Sequence, residues 1–208
     1  LVLTGEEAPE EEISRTLVRA RESSSLLCEK FVHCTEDADG KVTGISFENE
    51  DKYNFAFDTV DAVANAYPDK LAMIHLDEDK NERRFTFSDM KRLSNQTANY
   101  YKSLGISKGD RVMLVLRRRF EFWTSMLALH KLGAVAIPAT DQLLTHDYEY
   151  RFEAGGVSAI VCSSHGSACE SVEEAEKNLA KTLTKVLVGG HREGWHDYHS
   201  ECPLFSSH

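Results

Sequence analysis

The feature that most constrains the fold is an alternation of two hydrophobic periods after Gly109. Residues 112–116, 134–137, 159–162 and 186–188 are short, continuously apolar runs. Between them, residues 121–132, 145–153 and 169–183 repeat apolar side chains at the three-to-four spacing of a helix. A strand apolar on both sides is covered on both sides, and strands joined by helices of about ten residues run parallel. The expected fold class is therefore α/β, a mostly parallel sheet flanked by helices.

The same pattern predicts the elements before it. Residues 58–67 place Val60, Val63, Ala64 and Tyr67 on one helical face, which Pro68 ends. Residues 71–76 and 83–87 read as a hairpin around the polar stretch 77–82. Ser88 is the expected N-cap of a helix carrying Met90, Leu93, Thr97, Tyr101 and Leu104, with Gly105 as its C-cap. The start differs in character. Residues 1–52 hold 13 acidic against 6 basic residues, whereas 53–208 are nearly balanced. Pro9 followed by Glu10, Glu11 and Glu12 predicts a helix over residues 9–27, and 31–34 with 42–47 flank a turn at Asp37-Ala38-Asp39-Gly40. The expected organisation is an acidic helix-plus-hairpin extension at 1–52 and an α/β region at 53–208.

Composition narrows function. A net charge of −10 argues against nucleic acid as a main partner, because phosphate binding needs a surplus of Lys and Arg. The longest nearly uninterrupted apolar stretch, 132–139, is far short of the ~20 residues that cross a bilayer, and mean hydropathy is −0.40. No basic leader precedes the core, and the start at Leu1 implies residues upstream. Five cysteines without a C-x-x-C pair are expected to be reduced, in a cytoplasmic protein.

No self-contained catalytic signature occurs: there is no G-x-x-x-x-G-K-[ST], G-x-G-x-x-G, G-x-S-x-G or H-E-x-x-H. His191, His196, His199 and Cys202 are four possible metal ligands within twelve residues. Their spacing fits no usual zinc pairing, so a polar surface loop is the expected reading and no metal is assigned. Arg117, Arg118 and Arg119 follow a predicted strand at its carboxyl end, where open α/β sheets place ligands; anion binding competes there with ordinary solvation. His130 is read as a packed or surface histidine rather than a general base, and Phe122 and Trp123 as core rather than cofactor-stacking residues.

Three segments carry a resemblance. Arg84-Phe85-Thr86-Phe87-Ser88-Asp89-Met90, Lys108-Gly109-Asp110-Arg111-Val112 and His130-Lys131-Leu132-Gly133-Ala134-Val135-Ala136-Ile137-Pro138 occur in the order and spacing of the first part of the AMP-forming acyl-CoA synthetases, in the adenylate-forming superfamily. Asn54 to Asp58, Glu121-Phe122-Trp123 and Pro138-Ala139-Thr140-Asp141-Gln142-Leu143 resemble the medium-chain branch. The resemblance implies the N-terminal part of the large domain of an enzyme that uses ATP, Mg²⁺ and CoA to convert a carboxylic acid, through its adenylate, into a thioester. It also implies that Gln142 lies near the CoA site. Arg117-Arg118-Arg119-Phe120 departs from the family's Pro-Arg-x-Pro, and the phosphate loop Thr-Ser-Gly-Thr-Thr-Gly-x-Pro-Lys is absent, as are the catalytic-lysine and nucleotide-binding segments. The chain alone is therefore expected to be inactive, to bind none of these compounds tightly and to contain no catalytic residue. The competing expectations are a stand-alone, non-catalytic α/β interaction or regulatory module, and an unrelated doubly wound nucleotide-binding domain. Oligomeric state and the acid activated are left open by the sequence.

Overall fold

The computed structural model describes residues 31–208, so the expected helix at 9–27 lies outside the described residues. The chain divides into two compact units, one ending at Asn54 and one beginning at Phe55.

In the first unit, β1 (Val32–Glu36) pairs antiparallel with β2 (Val42–Phe47), and Cys34 faces Ile45. The Asp37 carboxylate closes the turn by accepting the backbone N–H groups of Asp39 and Lys41 at 3.0 and 2.9 Å. Gly40 supplies the positive φ, +76°, that the turn needs.

The second unit opens with a wide π-helical segment, Phe55–Asp61, which tightens into α1 (Ala62–Ala66). The expected single helix thus starts three residues early and is irregular in its first half. β3 (Leu71–Leu76) and β4 (Glu82–Thr86) form the expected hairpin, and the chain passes directly into α2 (Phe87–Ser103). The N-cap of α2 is Thr86, not Ser88. Thr86 Oγ1 accepts the Asp89 N–H at 3.1 Å while the Asp89 carboxylate accepts the Thr86 N–H at 3.1 Å, a reciprocal capping box. Ser88 already lies inside the first turn. Gly105, with φ +89°, follows the helix end.

The central sheet contains β5 (Arg111–Val115), β6 (Val135–Pro138), β7 (Ala159–Ser163), β8 (Thr184–Val188) and the short β9 (His196–Asp197). Its order is β6-β5-β7-β8-β9, and every neighbouring pair is parallel. The intervening helices are α3 (Glu121–Leu132), α4 (Thr145–Ala154) and α5 (Ala168–Leu179), and α6 (Tyr198–Glu201) follows β9. α5 stops short of the expected Leu183 because Ala180 turns into the left-handed region at φ +50°. Leu183 is then freed to enter the core.

Alternation along the strands divides the core into two layers, since successive side chains point to opposite faces. Val112, Leu114, Val161 and Val186 pack with Tyr101 and Leu129 of α2 and α3. Met113, Val115, Ile160 and Leu187 pack on the other side with Tyr148 and Phe152 of α4 and Val172 of α5. The α/β architecture and its helix cover on both faces are those the periodicity predicts. One buried charge joins α3 to the preceding elements: Lys131 Nζ donates to Asp61 Oδ1 at 2.9 Å and to Asn95 Oδ1 at 2.6 Å.

Candidate functional site

Parallel strands end on one edge of the sheet, so the segments leaving β5, β6, β7 and β8 emerge together. These exits carry different chemistry. The β5 exit supplies Arg117, the β6 exit Asp141 and the β7 exit His165. Arg117 Nη1 lies 2.7 Å from His165 Nε2 and 3.7 Å from Asp141 Oδ2. Because a guanidinium only donates, Nε2 of His165 accepts in this contact. The next residue, Arg118, takes a left-handed backbone conformation at φ +43°, and its carbonyl accepts from His75 Nε2 at 3.0 Å. That turn separates the arginines. Arg119 lies against Gly189 beyond β8, where a Cβ would sit 2.6 Å from its guanidinium nitrogen. Ser164 completes the edge by donating its hydroxyl to the Gly189 carbonyl at 2.6 Å.

These groups border an open cleft of about 390 Å³ lined by His75, Asp77, Arg117, Arg119, Ser164 and His165. Guanidinium groups on the rim suit phosphate or carboxylate anions. All three arginines line this cleft, Arg118 with its carbonyl turned to His75. Sequence reading missed Asp141, Ser164 and His165, because their proximity to Arg117 depends on the order of the strands. Gln142 is exposed and does not line the cleft; its backbone N–H donates to Thr140 Oγ1 at 3.3 Å.

The other candidates disperse. His199 Nε2 meets Glu121 Oε1 at 2.7 Å, His196 Nδ1 meets Glu201 Oε2 at 3.1 Å, and Cys202 Sγ lies in the core 3.9 Å from Thr97 Oγ1. Among the described residues no group of three or more His, Cys, Asp or Glu could hold a metal ion. The expectation of a plain surface loop there needs correction, since β9 and α6 occupy part of the segment. Phe122 packs against the core, but Trp123 is 54% exposed because it falls off the buried stripe of α3. His130 is half-buried, with its ring edge-on to Phe55 at 6.2 Å, and burial lowers its pKa.

Residues 60–203 match the family model described as AMP-binding enzyme. The chain belongs to the AMP-binding enzyme family. It is 32% identical over 151 residues to the rat "Acyl-coenzyme A synthetase ACSM4, mitochondrial", an alignment covering 69% of this chain and 26% of that protein. The human ACSM3 of the same description is 30% identical over 150 residues, covering 69% and 25%. The chain therefore spans about a quarter of the length of the curated relatives it matches. Among solved structures, the anthranilate CoA ligase AuaEII in complex with anthranoyl-AMP matches with a TM-score of 0.62 at 26% identity, covering 75% of this chain and 29% of that one. The acetoacetyl-CoA synthetase from Streptomyces lividans shares the fold, with a TM-score of 0.65 at 19% identity over 74% and 25%. Within this family member, the three segments that carry the family resemblance fall at the β4–α2 junction, the entry to β5 and the α3–β6 junction. Each is a place where backbone direction changes between layers.

Proposed function

We propose that this chain is part of an AMP-forming acyl-CoA synthetase acting on a carboxylic acid of the medium-chain fatty type. In that reaction ATP and the acid give an acyl-adenylate and pyrophosphate, and the thiol of CoA then displaces AMP. The observation that carries the reading is the family match over residues 60–203, supported by relatives named acyl-CoA synthetases. The described residues contribute scaffold and a binding edge. Developing phosphate charge in adenylation calls for backbone N–H groups, a lysine and Mg²⁺ held in place beforehand. The 208 residues contain no phosphate-loop sequence. The chain by itself is accordingly proposed not to adenylate.

ATP–pyrophosphate exchange tests both statements. Protein purified from its source cells should catalyse exchange with acids between butyrate and laurate, while the isolated 208 residues should not exceed a blank. Exchange by the isolated chain would refute its inactivity. No exchange and no thioester formation by the source protein with any acid would refute the ligase reading and favour a non-catalytic module. Gln142, proposed at the CoA site, gives a narrower test. Gln142→Ala in the source protein should raise KM for CoA about fivefold, the worth of one neutral hydrogen bond of ~1 kcal/mol, and leave exchange unchanged because exchange precedes CoA. Five cysteines without a C-x-x-C pair motivate the proposal of a reducing, cytoplasmic compartment. Cell fractionation would separate cytoplasm from mitochondrion, the compartment in the curated relatives' names.

A further inference from the structure

Cys162 at the end of β7 and Cys169 in the first turn of α5 have sulfurs 4.0 Å apart. Their surroundings differ. Cys162 is fully enclosed, whereas Cys169 lines a small cavity of about 170 Å³ bordered by Ser164, Gly166, His191 and Arg192. The two thiols affect each other unequally: the Cys162 thiol, and less so Arg192, holds Cys169 below the ordinary cysteine range against burial and the Glu170 and Glu173 carboxylates, and Cys169 together with burial pushes Cys162 up. A position near a helix N-terminus and a guanidinium is where thiolates form. Tyr148 is packed in the same layer, with its phenol oxygen buried and without a hydrogen-bond partner in the described structure.

We propose that Cys162 and Cys169 form an oxidation site, in which a hydroperoxide oxidises Cys169 and Cys162 resolves the product into a reversible intramolecular disulfide. In the first step the Cys169 thiolate attacks a peroxide oxygen and the O–O bond breaks. This leaves a sulfenic acid and, for hydrogen peroxide, a hydroxide that takes a proton to become water. In the second step the Cys162 sulfur attacks the Cys169 sulfur, the S–O bond breaks, and the leaving hydroxide takes the Cys162 proton. Two thiols are oxidised by two electrons and one hydrogen peroxide is reduced to two waters. Closing from 4.0 Å to the ~2.05 Å of an S–S bond requires rotation of the two side chains toward each other. The product ties β7 to α5 and fixes the intervening segment that carries His165.

The test is intact mass and non-reducing peptide mapping of the reduced protein after equimolar hydrogen peroxide. The expected product is lighter by about 2 Da, maps to a Cys162–Cys169 bridge and reverts with dithiothreitol. Oxygen addition of about 16 or 32 Da without a bridged product would overturn the proposal, as would a bridge mapped to another pair. Cys162→Ser should halt the reaction at a sulfenic acid that dimedone traps on Cys169, and Cys169→Ser should abolish both products. Trapping at exposed Cys34 alone would overturn the assignment of Cys169 as the reacting thiol. The mapping of the unsubstituted protein decides the matter even if a variant folds poorly.

Discussion

Lys131 offers the sharpest stability test, because its ammonium is withdrawn from water onto two oxygens. Its side chain is 4% exposed and that of Asp61 11%. Burial lowers the Lys131 pKa, with the Asp61 carboxylate opposing that effect. Lys131→Met keeps the stem and removes the charge, stranding the Asp61 carboxylate and leaving Asn95 Oδ1 without its 2.6 Å donor. Removing one member of a buried pair costs about 3–5 kcal/mol. Asp61 keeps 11% of its side chain exposed, so the low end of that range, about 3 kcal/mol, is expected. At roughly 2–4 °C per kcal/mol for a unit of this size, Tm should fall by about 6–12 °C. Replacing both partners with apolar residues, Asp61→Leu with Lys131→Met, should recover the loss to within about 1 kcal/mol, because no uncompensated charge is then buried. Urea unfolding followed by fluorescence of the buried Trp195 measures each variant. A loss under ~1 kcal/mol for the single substitution, or a double variant as unstable as the sum of the singles, would refute the reasoning.

Two further predictions concern local electrostatics and capping. Arg192 donates to Glu173 and Glu170, each at 2.7 Å, and these bonds hold both carboxyls below their ordinary value of 4.5. Depressed carboxylates stabilise the fold above that value and lose the contribution as pH falls through their folded-state values. Arg192→Met should therefore move both titrations back up toward 4.5 by carboxyl NMR and reduce the acid sensitivity of stability below it; unchanged titrations would contradict the assignment. Thr86→Ala should cost about 1 kcal/mol in urea unfolding, while Ser88→Ala should be nearly neutral; the reverse ranking would restore Ser88 as the cap.

Hydrophobic period determined much of this protein by itself. The parallel strands, their order of appearance and the helices between them could be read from residues 112–188, because a buried strand leaves an unbroken apolar run and a packed helix leaves a stripe. The hairpins at 32–47 and 71–86 were legible from their polar turns. Caps and ends were less so. Ser88 and Thr86 are both good capping residues, and the choice fell to whichever backbone the hairpin register placed at the helix start. Leu183 looked like a helical position until Ala180 turned the chain.

The sites lay beyond sequence for a different reason. Arg117, Asp141 and His165 are each ordinary polar residues after a strand. They meet only because β6, β5 and β7 are neighbours, which is a property of strand order. The same holds for Glu121 with His199, separated by 78 positions, and for Lys131 with Asp61, separated by 70. Even Cys162 and Cys169, only seven residues apart, became a pair through the return of α5 onto the face of β7. Local propensity acts over one turn or one pleat, so it writes elements into the sequence; side chains that are distant in sequence come together only when those elements pack.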